Sequence, residues 1–162
     1  MRAAASPARR RVGMLTRRGL IAGAFACSAS LPLAAQEAAP VVTVYRSASC
    51  GCCGAWVDHM KKAGFETKVV MTEELAARKR EFGVPDAAES CHTAMVDGYF
   101  VEGHVPAADV RRLLRERPQA RGLAVPEMPV GSPGMEVPGV KADRYDTWLI
   151  AKDGSHTVFA SH

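Results

Sequence analysis

Past residue 35 the chain lacks any surplus of positive charge. The full 162 residues hold 21 Lys+Arg and 17 Asp+Glu, but Arg2, Arg9, Arg10, Arg11, Arg17 and Arg18 fall before residue 36 and no acid does, so residues 36–162 carry 15 cations against 17 anions. Aromatic residues are few, 6 % of the chain, and none interleaves with a basic stripe. A nucleic-acid or other polyanion partner is thereby excluded. Long apolar runs are missing as well: residues 19–26 are apolar, but Ser28, Ser30 and Pro32 break the run too soon for a permanent membrane span. No internal repeat is visible. Cysteine is scarce, five in all, yet three of the five crowd into Cys50-Gly51-Cys52-Cys53.

The arginine-rich start reads as an export signal over residues 1–35. Basic residues precede the apolar stretch, and Leu31-Pro32-Leu33-Ala34-Ala35 supplies the small residues that a signal peptidase accepts. Thr16-Arg17-Arg18-Gly19-Leu20 resembles the twin-arginine pattern, and Met14 just before it is a candidate start. The competing reading is a disordered basic tail. Cys27 leaves with the signal, because Ala24-Phe25-Ala26 is a poor lipidation motif. Residues 36–40 are then a short linker and 41–162 a single domain, exported to the periplasm and meeting the membrane only in transit. Its cysteines are Cys50, Cys52, Cys53 and Cys91.

Hydrophobic patterning places these thiols. A strand over 41–46 precedes the cysteine run, and a helix over 54–63, ended by Gly64, comes after it. The thiols therefore sit at a helix N-terminus, where unpaired N–H groups and the helix dipole favour thiolate. A second strand over 65–71 comes next, then a helix capped by Thr72 and stopped at Gly83. Residues 92–96 and 99–102 read as strands joined by Asp97-Gly98, a strong hairpin signal. Pro106 opens a third helix that stops before Pro118.

The order βαβαββα, an α/β class, resembles the thioredoxin fold. That resemblance implies that the residues entering the third strand, usually ending in a cis-proline, lie against the cysteine motif. Here they read Ser90-Cys91-His92-Thr93 with no proline, so the resemblance puts the Cys91 thiol opposite Cys50, Cys52 and Cys53. The plainer reading of Cys91 is a small buried hydrophobe. After the third helix the pattern departs into a long Pro/Gly-rich loop over 122–135, carrying Met128 and Met135, and a closing hairpin from 145–151 and 157–160.

The donor set points to copper. Thiolate and thioether are soft ligands that select Cu(I), zinc or iron–sulfur clusters, and methionine favours copper among these. Structural zinc draws its cysteines as two separated pairs, a spacing this chain does not have. Adjacent Cys52 and Cys53 would strain a single tetrahedron that also included Cys50. Bridging thiolates in a polynuclear Cu(I) cluster relieve that strain and balance the charge. Other donors have two readings each. His104, just before the third helix, either ligates or caps that helix. Met128 and Met135 either cover the metal as thioethers or anchor their loop. His92, one position along a strand from Cys91, should face away from it. His59 is expected to be solvated, and Trp56 and Met60 to be core; His156 and His162 have nothing to single them out.

Taken together, Cys-Gly-Cys-Cys, Ser-Cys-His-Thr, Glu102-Gly103-His104-Val105-Pro106 and the Gly-Leu-Ala-Val-Pro…Met-Pro…Gly-Ser-Pro-Gly-Met loop resemble the CopG-type copper-resistance proteins over roughly residues 41–162. The resemblance implies a thioredoxin-like fold, copper held through the cysteine motif, and a role in periplasmic copper tolerance beside other copper-handling proteins. Storage, transfer and Cu(I)/Cu(II) conversion are all roles open to such a centre. The rival is an enzyme: Cys50 and Cys53 form a C-x-x-C pair at a helix start, the standard arrangement for thiol–disulfide exchange. Against it, Cys52 and Cys91 would trap the enzyme in internal disulfides, and no proline presents a substrate chain. A disulfide-stapled structural domain is the third possibility.

Overall fold

The computed structural model describes residues 40–162. The export signal, its twin-arginine stretch, Cys27 and all of the linker but Pro40 lie outside the described residues. The described chain is a mixed α/β domain. Its elements are β1 (Val42–Arg46), α1 (Gly51–Lys62), β2 (Thr67–Met71), α2 (Leu75–Phe82), a 3-10 turn (Asp86–Ala88), β3 (His92–Val96), β4 (Tyr99–Glu102), α3 (Ala107–Glu116), β5 (Ala120–Ala124), β6 (Asp146–Ala151) and β7 (His156–Ser161).

All seven strands join one sheet in the order β2-β1-β3-β4-β5-β6-β7. The β1–β2 and β4–β5 pairs are parallel and the others antiparallel. Strand alternation sends side chains to two cores. On one face Val42, Val44, Ala94, Val96, Val101 and Leu123 pack with Trp56, Val57 and Met60 of α1 and with Val110 and Leu113 of α3. On the other, Phe100, Ala124 and Ile150 pack with Val84 and Ala88, which come after α2. Trp56 and Met60 are core as their spacing predicts, both fully buried.

Local chemistry sets several boundaries. Asp97 (φ 47) and Gly98 (φ 83) are both left-handed, the geometry of a two-residue turn that matches strand twist. Gly83 closes α2 at φ 74, donating its N–H to Arg80. Thr72 does not cap α2. Its hydroxyl accepts the Glu74 N–H at 3.0 Å in a local turn, and the helix begins only at Leu75.

Two larger corrections affect the site. Helix α1 starts at Gly51, three residues before the start its sequence suggests, with Cys50 as its extended N-cap residue (φ −80, ψ 96). Cys52 and Cys53 thus lie inside the first turn. Residues 120–124, read partly as loop, form β5 instead, because Leu123 and Ala124 bury apolar side chains on the two opposite faces of the strand's covered end. Gly122 lets this strand approach the Phe100 carbonyl, where a Cβ would clash. The terminal hairpin pairs through β5 and so extends the same sheet. Among the described residues, no helix is long and apolar enough to cross a membrane.

Candidate metal centre

Strand β1 ends at Arg46, and a short turn delivers Cys50 to the start of α1, while β3 begins just after Cys91 and runs antiparallel beside β1. This pairing brings four sulfurs together. Cys50 Sγ lies 3.5 Å from Cys52 Sγ, and Cys91 Sγ lies 3.9 Å from Cys52 Sγ and 3.6 Å from Cys53 Sγ. The four sulfurs all fall within 4.8 Å of one another. Cys50 and Cys53 are joined by a disulfide, while Cys52 and Cys91 are free. Cys53 is fully buried and the other three half-buried, so the group opens to solvent on one side.

Two histidines complete the cluster around Cys91. His104 Nε2 is 3.1 Å from Cys91 Sγ and His92 Nδ1 is 3.3 Å from it. His104 Nδ1 sits 2.8 Å from the Pro133 carbonyl oxygen. A carbonyl only accepts, so Nδ1 carries the proton and Nε2 turns its lone pair to the sulfur. Burial pushes the Cys91 thiol up to about 12, reinforced by Cys52 beside it. In the metal-free protein Cys91 is therefore an S–H donor to His104. Burial also lowers both imidazoles, His92 the more strongly, with the charges of His104, Lys79 and Arg46 adding to the effect on His92.

His92 departs from its expected place. Cys91 precedes the strand rather than belonging to it, so the alternation rule does not separate the two side chains. The His92 ring packs on Trp56 with centroids 4.5 Å apart and meets His104 edge-on at 5.1 Å. Its Nε2 is buried with no hydrogen-bond partner. A sequence signal existed in the Cys-His pair itself: with the strand over 92–96, alternation begins at His92 and does not reach back to Cys91. The helix-cap reading of His104 is replaced by His59, which is half-buried rather than solvated and accepts the Ala107 N–H of α3 at 3.0 Å.

The loop after β5 closes one side of the centre. Gly134 (φ 87) lies flat on the first turn of α1, where a Cβ would come within 2.7 Å of the Trp56 nitrogen and 3.0 Å of the Cys52 carbonyl. Met135 comes directly after it, half-buried and held through its backbone to Gly131 and Ser132. Met128, in contrast, stands 48 % exposed on the outer part of the loop. The structure thus gathers Cys50, Cys52, Cys53, Cys91, His92 and His104. It leaves Met128 at the surface and Met135 half-buried in the loop next to Gly134.

Once the Cys50–Cys53 disulfide is reduced, four sulfur donors beside two imidazoles are a set that could hold a soft cation. Residues 88–135 match the family described as "Protein of unknown function, DUF411". Two solved structures, described as "Copper resistance protein copG", Form 2 and Form 1, are each 44 % identical to this chain. They superpose with TM-scores of 0.73 and 0.72, over 76 % of this chain and 98 % of theirs. No curated protein matches. The chain belongs to the CopG copper-resistance protein family. Membership and the cysteine cluster together define a copper-related function.

Proposed function

We propose that this chain is a periplasmic copper-binding protein that holds Cu(I) for copper tolerance, as a thiolate-bridged cluster on Cys50, Cys52, Cys53 and Cys91. The observation that carries this reading is the convergence of four sulfurs within 4.8 Å, with His104 Nε2 aimed at the one furthest along the chain. Copper is the cargo. Sulfurs this close suit bridging between several ions better than a single tetrahedron, and monovalent ions balance the thiolates in a half-buried site. A dithiol reductant must first reduce the Cys50–Cys53 disulfide, giving it two electrons and two protons and itself closing to a disulfide. All four thiols then release their protons as metal binds. His104 ligates in this reading and Met135 covers the rim, with Met128 as an outer thioether. The supporting frame is read as a thioredoxin-like core, from β1 to α3, with the cysteine motif opening its first helix.

Anaerobic titration of the reduced protein tests the cluster. More than one Cu(I) should load per chain before free copper reaches a competing chelator, and a sharp endpoint at one ion contradicts bridging. The second reading, a thiol–disulfide oxidoreductase, is favoured by the Cys50–Cys53 bond at the N-terminus of α1. It predicts catalytic reduction of insulin that survives removal of Cys52 and Cys91.

Export by the twin-arginine route belongs to the same proposal. Four reduced thiols sent unfolded into an oxidising compartment would pair before metal arrived, whereas a folded protein keeps them together. Cells carrying Arg17→Lys with Arg18→Lys should accumulate precursor in the cytoplasm and lose the mature form from the periplasm. Normal processing of that variant would assign the signal to the ordinary secretory route and leave reduction to periplasmic partners.

A further inference from the structure

Residues 90–93, which carry Cys91 and His92 into β3, have no proline to fix their course. A buried carboxylate does so instead. Glu102, the last residue of β4, is fully buried; its Oε1 accepts the Ser90 N–H at 2.6 Å and its Oε2 accepts the Thr93 hydroxyl at 2.6 Å. The two bonds grip the residues on either side of Cys91-His92. Lys79, reaching in from α2 and itself buried, pairs its ammonium with Glu102 Oε1 and donates to Thr93 Oγ1 at 3.2 Å. From the same corner the Gly103 N–H binds the His92 carbonyl at 2.9 Å, and the Ser90 hydroxyl donates to the Glu127 carbonyl.

Stability alone does not account for this pair. Taking two charges out of water is costly, and well-packed apolar replacements are often as stable or more so. What the pair supplies is direction. Its hydrogen bonds end on the backbone and side chain that bracket Cys91, and Glu102 lies two residues before His104, whose Nε2 meets the same sulfur. We infer that Lys79 and Glu102 are a positioning pair, holding Cys91 Sγ against Cys52, Cys53 and His104 in place of a proline ring. The consequence for metal binding rests on the copper reading above. The placement of Cys91 does not, and it can be measured without metal.

The test uses the full chain, metal-free, with the Cys50–Cys53 disulfide intact, and tracks alkylation of Cys91 and Cys52 by iodoacetamide with peptide mass spectrometry. In Lys79→Met/Glu102→Leu, which leaves no orphan charge but strips the Ser90 N–H and the Thr93 hydroxyl of their acceptor, the chain should still fold, with a lowered thermal midpoint. The Cys91-to-Cys52 rate ratio should nevertheless increase about tenfold, the scale set by one hydrogen bond to a charged group. Thr93→Val, which removes the Thr93 bonds to Glu102 and Lys79 but leaves the Ser90 grip, should shift the ratio in the same direction by less, and it decides the question if the double variant does not fold. The reduced, copper-loaded double variant should lose about 10–100-fold in Cu(I) affinity against a competing chelator, as for loss of groups that orient a ligand. An unchanged ratio in whichever of the two variants folds overturns the positioning role. Failure of the wild type to take up Cu(I) overturns the copper reading alone, because the alkylation arm still decides the other.

Discussion

Cys91→Ser is expected to weaken Cu(I) binding by more than about 100-fold, beyond what losing an outer partner of a metal site costs, and to reduce the number of ions loaded. Cys91 is the hub of the centre. Its sulfur is the one that meets Cys52, Cys53, His92 and His104, all at 3.9 Å or less. A serine hydroxyl is a hard donor that Cu(I) disfavours, so the substitution removes the bridge and leaves both imidazoles without their shared partner. Cys52→Ser should act in the same direction, because Cys52 lies between Cys50 and Cys91. Competition titration with a Cu(I) chelator reads both variants, and growth in copper reads the consequence for tolerance. A thiol-exchange enzyme behaves otherwise: it depends on Cys50 and Cys53 and keeps or gains turnover without the other two. Retained copper tolerance in both serine variants, with efficient insulin reduction, would reverse the assignment.

Trp56→Ala should have the largest effect on stability, about 3–5 kcal/mol for a fully buried tryptophan. The indole fills the core between β1 and α3, and its Nε1 donates to the Val105 carbonyl at 2.8 Å. Truncation opens a cavity and leaves that carbonyl unpaired. Trp56 also supports His92, whose ring packs on it, and its backbone nitrogen lies against the close approach of Gly134. The metal centre should therefore loosen together with the core. Chemical denaturation of the metal-free protein measures the first effect. Cu(I) added before denaturation should restore part of the loss, since a ligand bound only by the folded state stabilises it.

Most of this centre was legible in the sequence, for reasons that differ from residue to residue. The crowding of Cys50, Cys52 and Cys53 between a strand pattern and a helix pattern placed them at a helix start. The start itself came three residues early, because glycine and cysteine give weak helix signals and Cys50 has no side-chain cap. The Asp97-Gly98 turn and the Gly83 stop were legible because each demands left-handed backbone that few residues adopt. β5 was hidden by the Pro/Gly composition downstream of it, and only its pairing with β4 and β6 makes Leu123 and Ala124 a strand. His92 was misplaced by a one-residue error in where alternation begins. His59 was invisible as a helix cap, since its partner Ala107 lies 48 positions away. The Lys79–Glu102 pair carries no local signature at all. Each residue alone reads as a solvated charge, and tertiary packing of α2 against β1 and β3 brings Lys79 to Glu102.

The central claim is that the sulfur cluster holds Cu(I), and X-ray absorption on anaerobically purified protein, with copper counted per chain, tests it most directly. A bridged cluster gives more than one copper per chain, an edge position of Cu(I), a first shell dominated by sulfur, and a copper–copper scattering contribution. Protein that purifies without copper, takes up none when reduced and supplied with Cu(I), and shows a Cys50–Cys53 couple cycling with substrate disulfides would contradict it.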